Sequence, residues 1–123
     1  MARRPFTDSL YFALSGLVWA WQTQGNVRRH TVAAVVAVAL AHLLALSLFE
    51  RALIILTIAL VIATELVNTA IEAIIDLCNP YYHPLAKRAK DVAAAAVLVT
   101  ALAAVAVGLW LFGPPLSQLF AFR

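Results

Sequence analysis

The sequence has few charges, few glycines and a single cysteine. Only 12% of its 123 residues are charged, whereas 64% are hydrophobic, and the mean hydropathy is +0.92. Because Cys78 stands alone, an internal disulfide is excluded. None of the four glycines lies in a phosphate-binding loop of the soluble nucleotide enzymes. A small soluble domain has too little interior to hide so much apolar surface. We therefore expect one all-α integral membrane domain over residues 1–123, with no nucleic-acid partner.

Three stretches approach the roughly 20 residues that a hydrocarbon core of about 30 Å requires. They are residues 31–49, 52–77 and 92–112, which we predict to be transmembrane helices. Glu50 and Arg51 would form the connection between the first two.

The connection between the last two stretches contains Asn79-Pro80 and His83-Pro84. Each proline disfavours helix at the residue before it. We therefore expect a turn at 79–84, followed by a helix that restarts near Leu85 and runs into the third span.

Residues 6–24 have the pattern of an amphipathic helix. Asp8, Ser15 and Gln22 recur every seven residues, and an apolar stripe runs beside them. This pattern, together with several aromatic residues suited to the headgroup region, predicts a helix lying on the bilayer surface. A distorted fourth span is the alternative, and the polar interruptions argue against it.

Basic residues are concentrated before the first span and between the last two. They are Arg3, Arg4, Arg28, Arg29, Lys87, Arg88 and Lys90, with Arg51 and Arg123 elsewhere. The positive-inside rule then places the N-terminus and the 78–91 loop of this multi-pass protein in the cytoplasm.

Four polar residues interrupt the second stretch at helical spacing: Glu65, Asn68, Glu72 and Asp76. At about 100° per residue they fall near 0°, 300°, 340° and 20°, on one stripe roughly 80° wide. Carboxylates inside a membrane-grade helix are costly to keep, which points to chemistry. A carboxylate face suits a hard cation such as Mg²⁺, and Mg²⁺ suggests phosphate transfer.

The 78–91 loop supplies complementary groups. Tyr82 and His83 offer a stacking surface and hydrogen bonds, and Asp91 offers one more oxygen ligand or a partner for a lysine. The loop's three cations, Lys87, Arg88 and Lys90, could neutralise phosphates. An acidic helix face beside a basic cytoplasmic loop is what binding of a magnesium–nucleotide complex requires.

Each of these residues also has a structural interpretation. Glu65 could be a protonated packing residue partnered by Asn68, and Asp76 could simply be solvated. His83 could serve only to stabilise its turn. Lys87 and Arg88 could be topological charges, whereas His30 and His42 are better explained by packing or the interface than as ligands.

With these residues the sequence resembles a known family, the prokaryotic diacylglycerol kinases and undecaprenol kinases. The resemblance is carried by Glu65-x-x-Asn68-x-x-x-Glu72-x-x-x-Asp76 and then Tyr82-His83-Pro84-Leu85-Ala86-Lys87-x-x-Ala89-Lys90-Asp91. Residues 23–30, Thr-Gln-Gly-Asn-Val-Arg-Arg-His, are similar to the start of that family's first span. The His-Pro-Leu-Ala-Lys loop is closer to the undecaprenol kinases of Gram-positive bacteria than to the diacylglycerol kinases of enteric bacteria.

The resemblance implies a multi-pass protein of the bacterial plasma membrane, a domain-swapped homotrimer whose active sites are shared between subunits. It implies that Glu65 is the general base and that Glu72 is a metal ligand. Asn68 would support the active site. The nucleotide would be bound by Phe12, Gln24, Glu72, Asp76, Tyr81, Tyr82, His83, Lys90 and Asp91. One departure stands out, because the family usually has a second metal-ligating Glu where this chain has Gln24; we keep Gln24 as an uncharged metal ligand.

We therefore predict an ATP- and Mg²⁺-dependent kinase that phosphorylates the hydroxyl of a membrane lipid, either undecaprenol or diacylglycerol. The alternative is a small transporter that uses Glu65 as its membrane carboxylate. A transporter would explain one or two intramembrane acids, but not the Tyr-His and Lys-Asp elements of the loop.

Overall fold

The computed structural model describes residues 5–121, which form four α-helices and no β-strand. The helices are α1 (Phe6–Thr23), α2 (Gly25–Leu43), α3 (Leu48–Cys78) and α4 (Pro84–Ala121). The all-helical class expected from the composition is confirmed. Arg3, Arg4 and Arg123, which contributed to the predicted orientation, lie outside the described residues.

Two of the helices are long and apolar enough to cross a membrane, namely the segments Leu48–Cys78 and Pro84–Leu119. With 31 and 38 residues, α3 and α4 extend about 46 Å and 57 Å at 1.5 Å per residue, well beyond a 30 Å core. Helix α2 has 19 residues, but Asn26, Arg28 and Arg29 occupy its first turns and shorten its apolar part. The structure thus identifies two candidate spans where we expected three.

The connection between α2 and α3 lies earlier than we expected. Helix α2 ends at Leu43 and α3 begins at Leu48, so the predicted span 31–49 is interrupted near its end. Ala45 adopts a φ of 51°, in the left-handed region, and the chain turns there. The amide of Leu46 donates to the carbonyl of Ala41 at 3.1 Å, which closes the end of α2.

Glu50 and Arg51 do not form this connection, because they begin α3. Ser47 and Glu50 form a capping box: the Ser47 hydroxyl accepts from the Glu50 amide at 3.3 Å, and Glu50 Oε2 accepts from the Ser47 amide at 2.7 Å. Arg51 Nε donates to the carbonyl of Leu46 at 2.7 Å. These bonds satisfy amide and carbonyl groups that the helix ends leave free.

The turn between α3 and α4 is where the prolines predicted it. Residues 79–83 are not helical, and α4 begins at Pro84, where a proline fits because the first helical residue needs no amide donor. His83 Nδ1 accepts from the Leu85 amide at 3.2 Å. Helix α4 then continues past residue 112, through Pro114 and Pro115, as far as Ala121.

The packing is dominated by α3 against the antiparallel α4, with α2 along α3 and α1 at the edge. The buried core is small and centres on Ala41, Leu46 and Ile54. Most large apolar side chains of the described residues are exposed in the single chain. In α1 only Ala20 is buried, while exposed aromatic residues cover much of its surface: Phe6, Tyr11, Phe12, Trp19 and Trp21. Apolar surface of this extent indicates a lipid or subunit environment.

The capping box gives a prediction about stability. Ser47→Ala removes the side-chain acceptor of the Glu50 amide, so we expect it to lower the free energy of unfolding by about 1 kcal/mol. Thermal unfolding in a mild detergent would measure the change. Ser47→Thr keeps the hydroxyl and should stay close to the unsubstituted protein. Equal stability of Ser47→Ala and the unsubstituted protein would show that the cap contributes nothing.

Candidate active site

The polar stripe of α3, formed by Glu65, Asn68, Glu72 and Asp76, runs from a buried end to an exposed end. Glu65 is 2% exposed and Asn68 is 6% exposed, whereas Glu72 is half-buried and Asp76 is exposed. Eleven residues separate Glu65 from Asp76, a distance of about 16 Å along the helix axis. The stripe therefore leads from the interior of the helix bundle to the end of α3 that adjoins the 79–83 turn.

A hydrogen bond links the two middle residues of the stripe. Asn68 Nδ2 donates to Glu72 Oε1 at 3.1 Å. Residues four apart on a helix face one another, so this bond fixes the Glu72 carboxylate on the stripe. The other carboxylate oxygen of Glu72 stays available to a ligand.

Three buried oxygens near the inner end of the stripe have no hydrogen-bond partner among residues 5–121. They are Glu65 Oε2, Asn68 Oδ1 and Thr69 Oγ1. A buried polar atom left without a partner costs about 1–3 kcal/mol. This turn of α3 therefore holds three unsatisfied polar atoms, which makes it a candidate binding position. The sequence reasoning missed Thr69, although its position about 40° from Glu65 on the helix was a usable signal.

A cleft of about 310 Å³ lies at the outer end of the stripe, between the last turn of α3, the turn and the start of α4. The predicted site residues that line it are Asp76, Tyr81, Tyr82, His83 and Lys90, together with Lys87. Lys90 Nζ and Asp76 form an ion pair across the two helices. The structure thus brings together residues that the sequence separates by up to 14 positions.

Two predicted residues near this cleft have other roles in the single chain. Asp91 does not line the cleft; it pairs with Lys87 at 2.7 Å on an exposed surface, which is the role of lysine partner that the sequence also allowed. His83 lines the cleft and also accepts from the Leu85 amide at the start of α4. Its turn-stabilising role is therefore present alongside any ligand contact.

Gln24 and Phe12 are not part of this arrangement. Gln24 sits at the junction of α1 and α2, and its Nε2 donates to the Thr23 hydroxyl at 3.5 Å. Phe12 is largely exposed on α1, with its ring edge-on to Tyr11 at 5.7 Å between centroids. Among residues 5–121 no three His, Cys, Asp or Glu side chains are grouped closely enough to hold a metal ion.

A second cavity, of about 330 Å³, lies within the bundle between α2, α3 and α4. Its walls are almost wholly apolar, and it reaches Val61 and Ile62, one helical turn before Glu65. His30 also lines it, and the Thr57 hydroxyl in its wall donates to the carbonyl of Leu53 at 2.8 Å. His42 does not line the cavity, and its Nδ1 lies 3.0 Å from the carbonyl of Val38.

The comparisons with known proteins identify a family by sequence. The sequence model of the family described as prokaryotic diacylglycerol kinase matches residues 11–112. A diacylglycerol kinase of Synechocystis is 46% identical over 112 residues, which cover 90% of this chain and 64% of that protein. An undecaprenol kinase of Bacillus subtilis is 40% identical over 111 residues, which cover 90% of both chains.

A diacylglycerol kinase of Escherichia coli is 38% identical over 94 residues, which cover 76% of this chain and 77% of that protein. The chain spans just under two thirds of the Synechocystis relative, but nearly the full length of the Bacillus subtilis one. With a family match over most of its residues and several relatives above 30% identity, the chain belongs to the prokaryotic diacylglycerol kinase family.

Proposed function

We propose that this chain is a membrane lipid kinase that transfers the γ-phosphoryl group of Mg²⁺-bound ATP to the hydroxyl of undecaprenol or diacylglycerol. Its family supports lipid kinase activity at a membrane. One observation carries the finer proposal: a single face of α3 joins the buried Glu65 carboxylate to a basic, tyrosine-lined cleft about 16 Å away. An extended nucleoside triphosphate bridges a gap of this size.

The cleft is the proposed site of the nucleoside. Tyr81 and Tyr82 offer rings for stacking, and His83 and Asp76 offer hydrogen-bonding groups. Lys90 also lines the cleft and pairs with Asp76, and its ammonium group can neutralise phosphate oxygens there. Asp91, together with its partner Lys87, would order the first turns of α4 and so hold Lys90 in place.

Glu72 is the proposed magnesium ligand, with the Gln24 carbonyl as a neutral neighbour. The donor set fits the ion, because Mg²⁺ prefers carboxylate and carbonyl oxygens and takes its remaining ligands from phosphate and water. When bound, the ion would neutralise charge on the phosphoryl group that is transferred.

Glu65 is the proposed general base. Its free Oε2 takes the proton of the lipid hydroxyl, whose oxygen bonds to the γ-phosphorus while the bond to the β–γ bridging oxygen breaks and ADP leaves. The apolar cavity that begins one turn from Glu65 would hold part of the lipid's hydrocarbon. Burial of Glu65 excludes water, which would otherwise compete as the acceptor.

The proposed topology has α2, α3 and α4 crossing the bilayer and α1 lying on its surface. The four-residue connection at 44–47 reverses the chain, so α3 runs antiparallel to α2. Because α4 is also antiparallel to α3, α2 and α4 run in the same direction. Arg28 and Arg29 then lie at the same end of the bundle as Lys87, Arg88 and Lys90, and the positive-inside rule makes that end cytoplasmic. Three copies would form a trimer in which Gln24 of one subunit approaches Glu72 of its neighbour.

The direct test is consumption of ATP by the purified protein in mild detergent. We expect turnover that requires both Mg²⁺ and a lipid alcohol, supplied in parallel as undecaprenol or a diacylglycerol. Glu65→Gln keeps the shape of the side chain but removes the base, so it should lower kcat by about 100-fold or more with little change in the KM for ATP.

The matched control is Glu50→Gln, which alters an exposed capping carboxylate of the same helix and should leave kcat near normal. Near-normal turnover of Glu65→Gln would remove Glu65 as the base. Absence of lipid-dependent ATP consumption in the unsubstituted protein, together with transport of a solute in vesicles, would favour the transporter alternative.

The magnesium assignment predicts opposite effects at two positions. Glu72→Gln removes a charged ligand, so it should raise the Mg²⁺ concentration needed for half-maximal activity. Gln24→Glu adds one and should lower that concentration. Titration of activity with Mg²⁺ at saturating ATP measures both. If the two curves overlay that of the unsubstituted protein, the metal is held elsewhere.

Sharing of the site between subunits can be tested by mixing inactive variants. Gln24→Lys places a cation at the proposed metal position, and Glu65→Gln removes the base. If these positions belong to different subunits in each site, a mixed oligomer contains some sites with both native residues. We therefore expect the mixture to regain part of the activity that each variant lacks alone.

A second mixture serves as the control. Glu65 lies on the polar stripe of α3, and Lys90 pairs with Asp76 of the same stripe, so both residues would serve the site of one chain. In a mixture of Glu65→Gln and Lys90→Ala, every site would lack one of the two, and the mixture should stay inactive. Co-purification of differently tagged subunits would establish that mixed oligomers form. Failure of Gln24→Lys and Glu65→Gln to complement in such oligomers, or full activity of a monomer, would contradict the shared site.

A further inference from the structure

Thr69 is a buried polar residue of α3 that the roles proposed above do not use. It is 5% exposed, and its hydroxyl oxygen has no hydrogen-bond partner in the described part of the chain. It lies one residue after Asn68 and one helical turn after Glu65, at the edge of the polar stripe. Its position places a third functional group beside the proposed base.

The hydroxyl of Thr69 is not engaged by its own helix, in contrast to threonines elsewhere. Mid-helix threonines commonly donate to a carbonyl of the preceding turn, and this bond is present at Thr23, Thr31, Thr57, Thr64 and Thr100. Thr64, in the same helix, donates to the carbonyl of Leu60 at 2.7 Å. At Thr69 the corresponding carbonyl belongs to Glu65, and no such bond forms. The Thr69 hydroxyl is therefore available to a ligand.

The three unpaired oxygens have complementary hydrogen-bonding capacities. An ionised Glu65 Oε2 and the carbonyl oxygen of Asn68 can only accept, whereas the Thr69 hydroxyl can also donate. An alcohol has one proton to give and two lone pairs to receive. Glu65 can take the proton of such an alcohol, and Thr69 is the buried group beside it that can donate to the alcohol oxygen.

We propose that Thr69 positions the acceptor alcohol by donating its hydroxyl proton in a hydrogen bond to the alcohol oxygen, while Glu65 Oε2 accepts the proton of that alcohol. This inference rests on the proposed function, because it places a lipid alcohol at Glu65. The Thr69 bond holds the alcohol oxygen in place and directs its remaining lone pair towards the phosphoryl group. The apolar cavity beginning at Val61 and Ile62 lies next to this position, as an amphiphilic alcohol requires.

Three substitutions test the role by kinetics. Thr69→Val keeps the shape and removes the donor, so it should lower kcat/KM for the lipid by about 10- to 100-fold and leave the KM for ATP unchanged. Thr69→Ser keeps the hydroxyl and should remain within about threefold of the unsubstituted protein. Thr64→Val is the matched control, since its hydroxyl is already bonded to its own helix, and it should retain activity.

A structural role for Thr69 gives a different pattern. If a neighbouring subunit uses the hydroxyl, Thr69→Val would weaken oligomer assembly and impair ATP and lipid kinetics alike. That pattern, or normal lipid kinetics of Thr69→Val, would overturn the inference.

Binding of the alcohol without ATP separates this inference from the proposed function. Dioctanoylglycerol, which carries one free hydroxyl, should raise the Tm of the detergent-solubilised protein and of Thr69→Ser, and should raise that of Thr69→Val much less. Such a difference would support Thr69 as an alcohol-binding residue even if no phosphoryl transfer were found. Equal shifts for Thr69→Val and the unsubstituted protein, or no shift for the unsubstituted protein, would overturn it.

Discussion

Burial of a carboxylate inside an apolar helix is the constraint on which the rest of this site depends. Glu65 is almost completely enclosed, and no Lys or Arg of the described residues forms an ion pair with it. An acid in this setting is tolerated only where other polar groups or a ligand satisfy it. One side-chain oxygen each of Asn68 and Thr69 likewise has no hydrogen-bond partner among the described residues. The free-energy cost of burying unsatisfied polar atoms is therefore concentrated within one turn of α3. Stability alone would favour apolar residues there, which is why we interpret the turn as a functional site.

The ends of the helices determine how this buried turn of α3 is connected to the solvent-exposed surface. Two short connections, at 44–47 and 79–83, reverse the chain. The first is fixed by the left-handed Ala45 and the Ser47 capping box, and the second by Pro84 and His83. Because α4 returns along α3, Lys90 reaches Asp76, and a basic cleft forms where the polar stripe ends. Helix α3 thus connects the buried turn at Glu65, where we propose the lipid hydroxyl, with the solvent-exposed cleft, where we propose the nucleotide.

The sequence was sufficient for the helical class, the carboxylate face and the turn at residues 79–84, since each depends on local spacing or on proline chemistry. It was insufficient where two signals competed. Hydropathy alone extended the first span through residue 49, although Ser47 and Glu50 have the spacing of a capping box and start α3 there. The apolar stretch predicted a third span that ended at residue 112, yet α4 continues through Pro114 and Pro115 to Ala121. Thr69 was overlooked because a threonine in an apolar helix usually bonds to its own backbone, and only the three-dimensional structure shows that this one does not.

The single chain leaves the two halves of the proposed reaction unequally complete. The lipid-facing half lies largely on α3 of one chain, where Glu65, Asn68 and Thr69 share one buried turn. The proposed metal-binding half is not assembled in one chain, because Gln24 lies at the α1–α2 junction and contacts Thr23. Residues 5–121 also contain no group of three His, Cys, Asp or Glu side chains able to hold a cation. A divalent ion with few protein ligands depends on the phosphates of the nucleotide for the rest of its coordination. In the proposed site the metal and the nucleotide would therefore bind together, and a neighbouring subunit would supply Gln24. The extensive exposed apolar surface of α1 and α4 agrees with a chain that meets both lipid and further copies of itself.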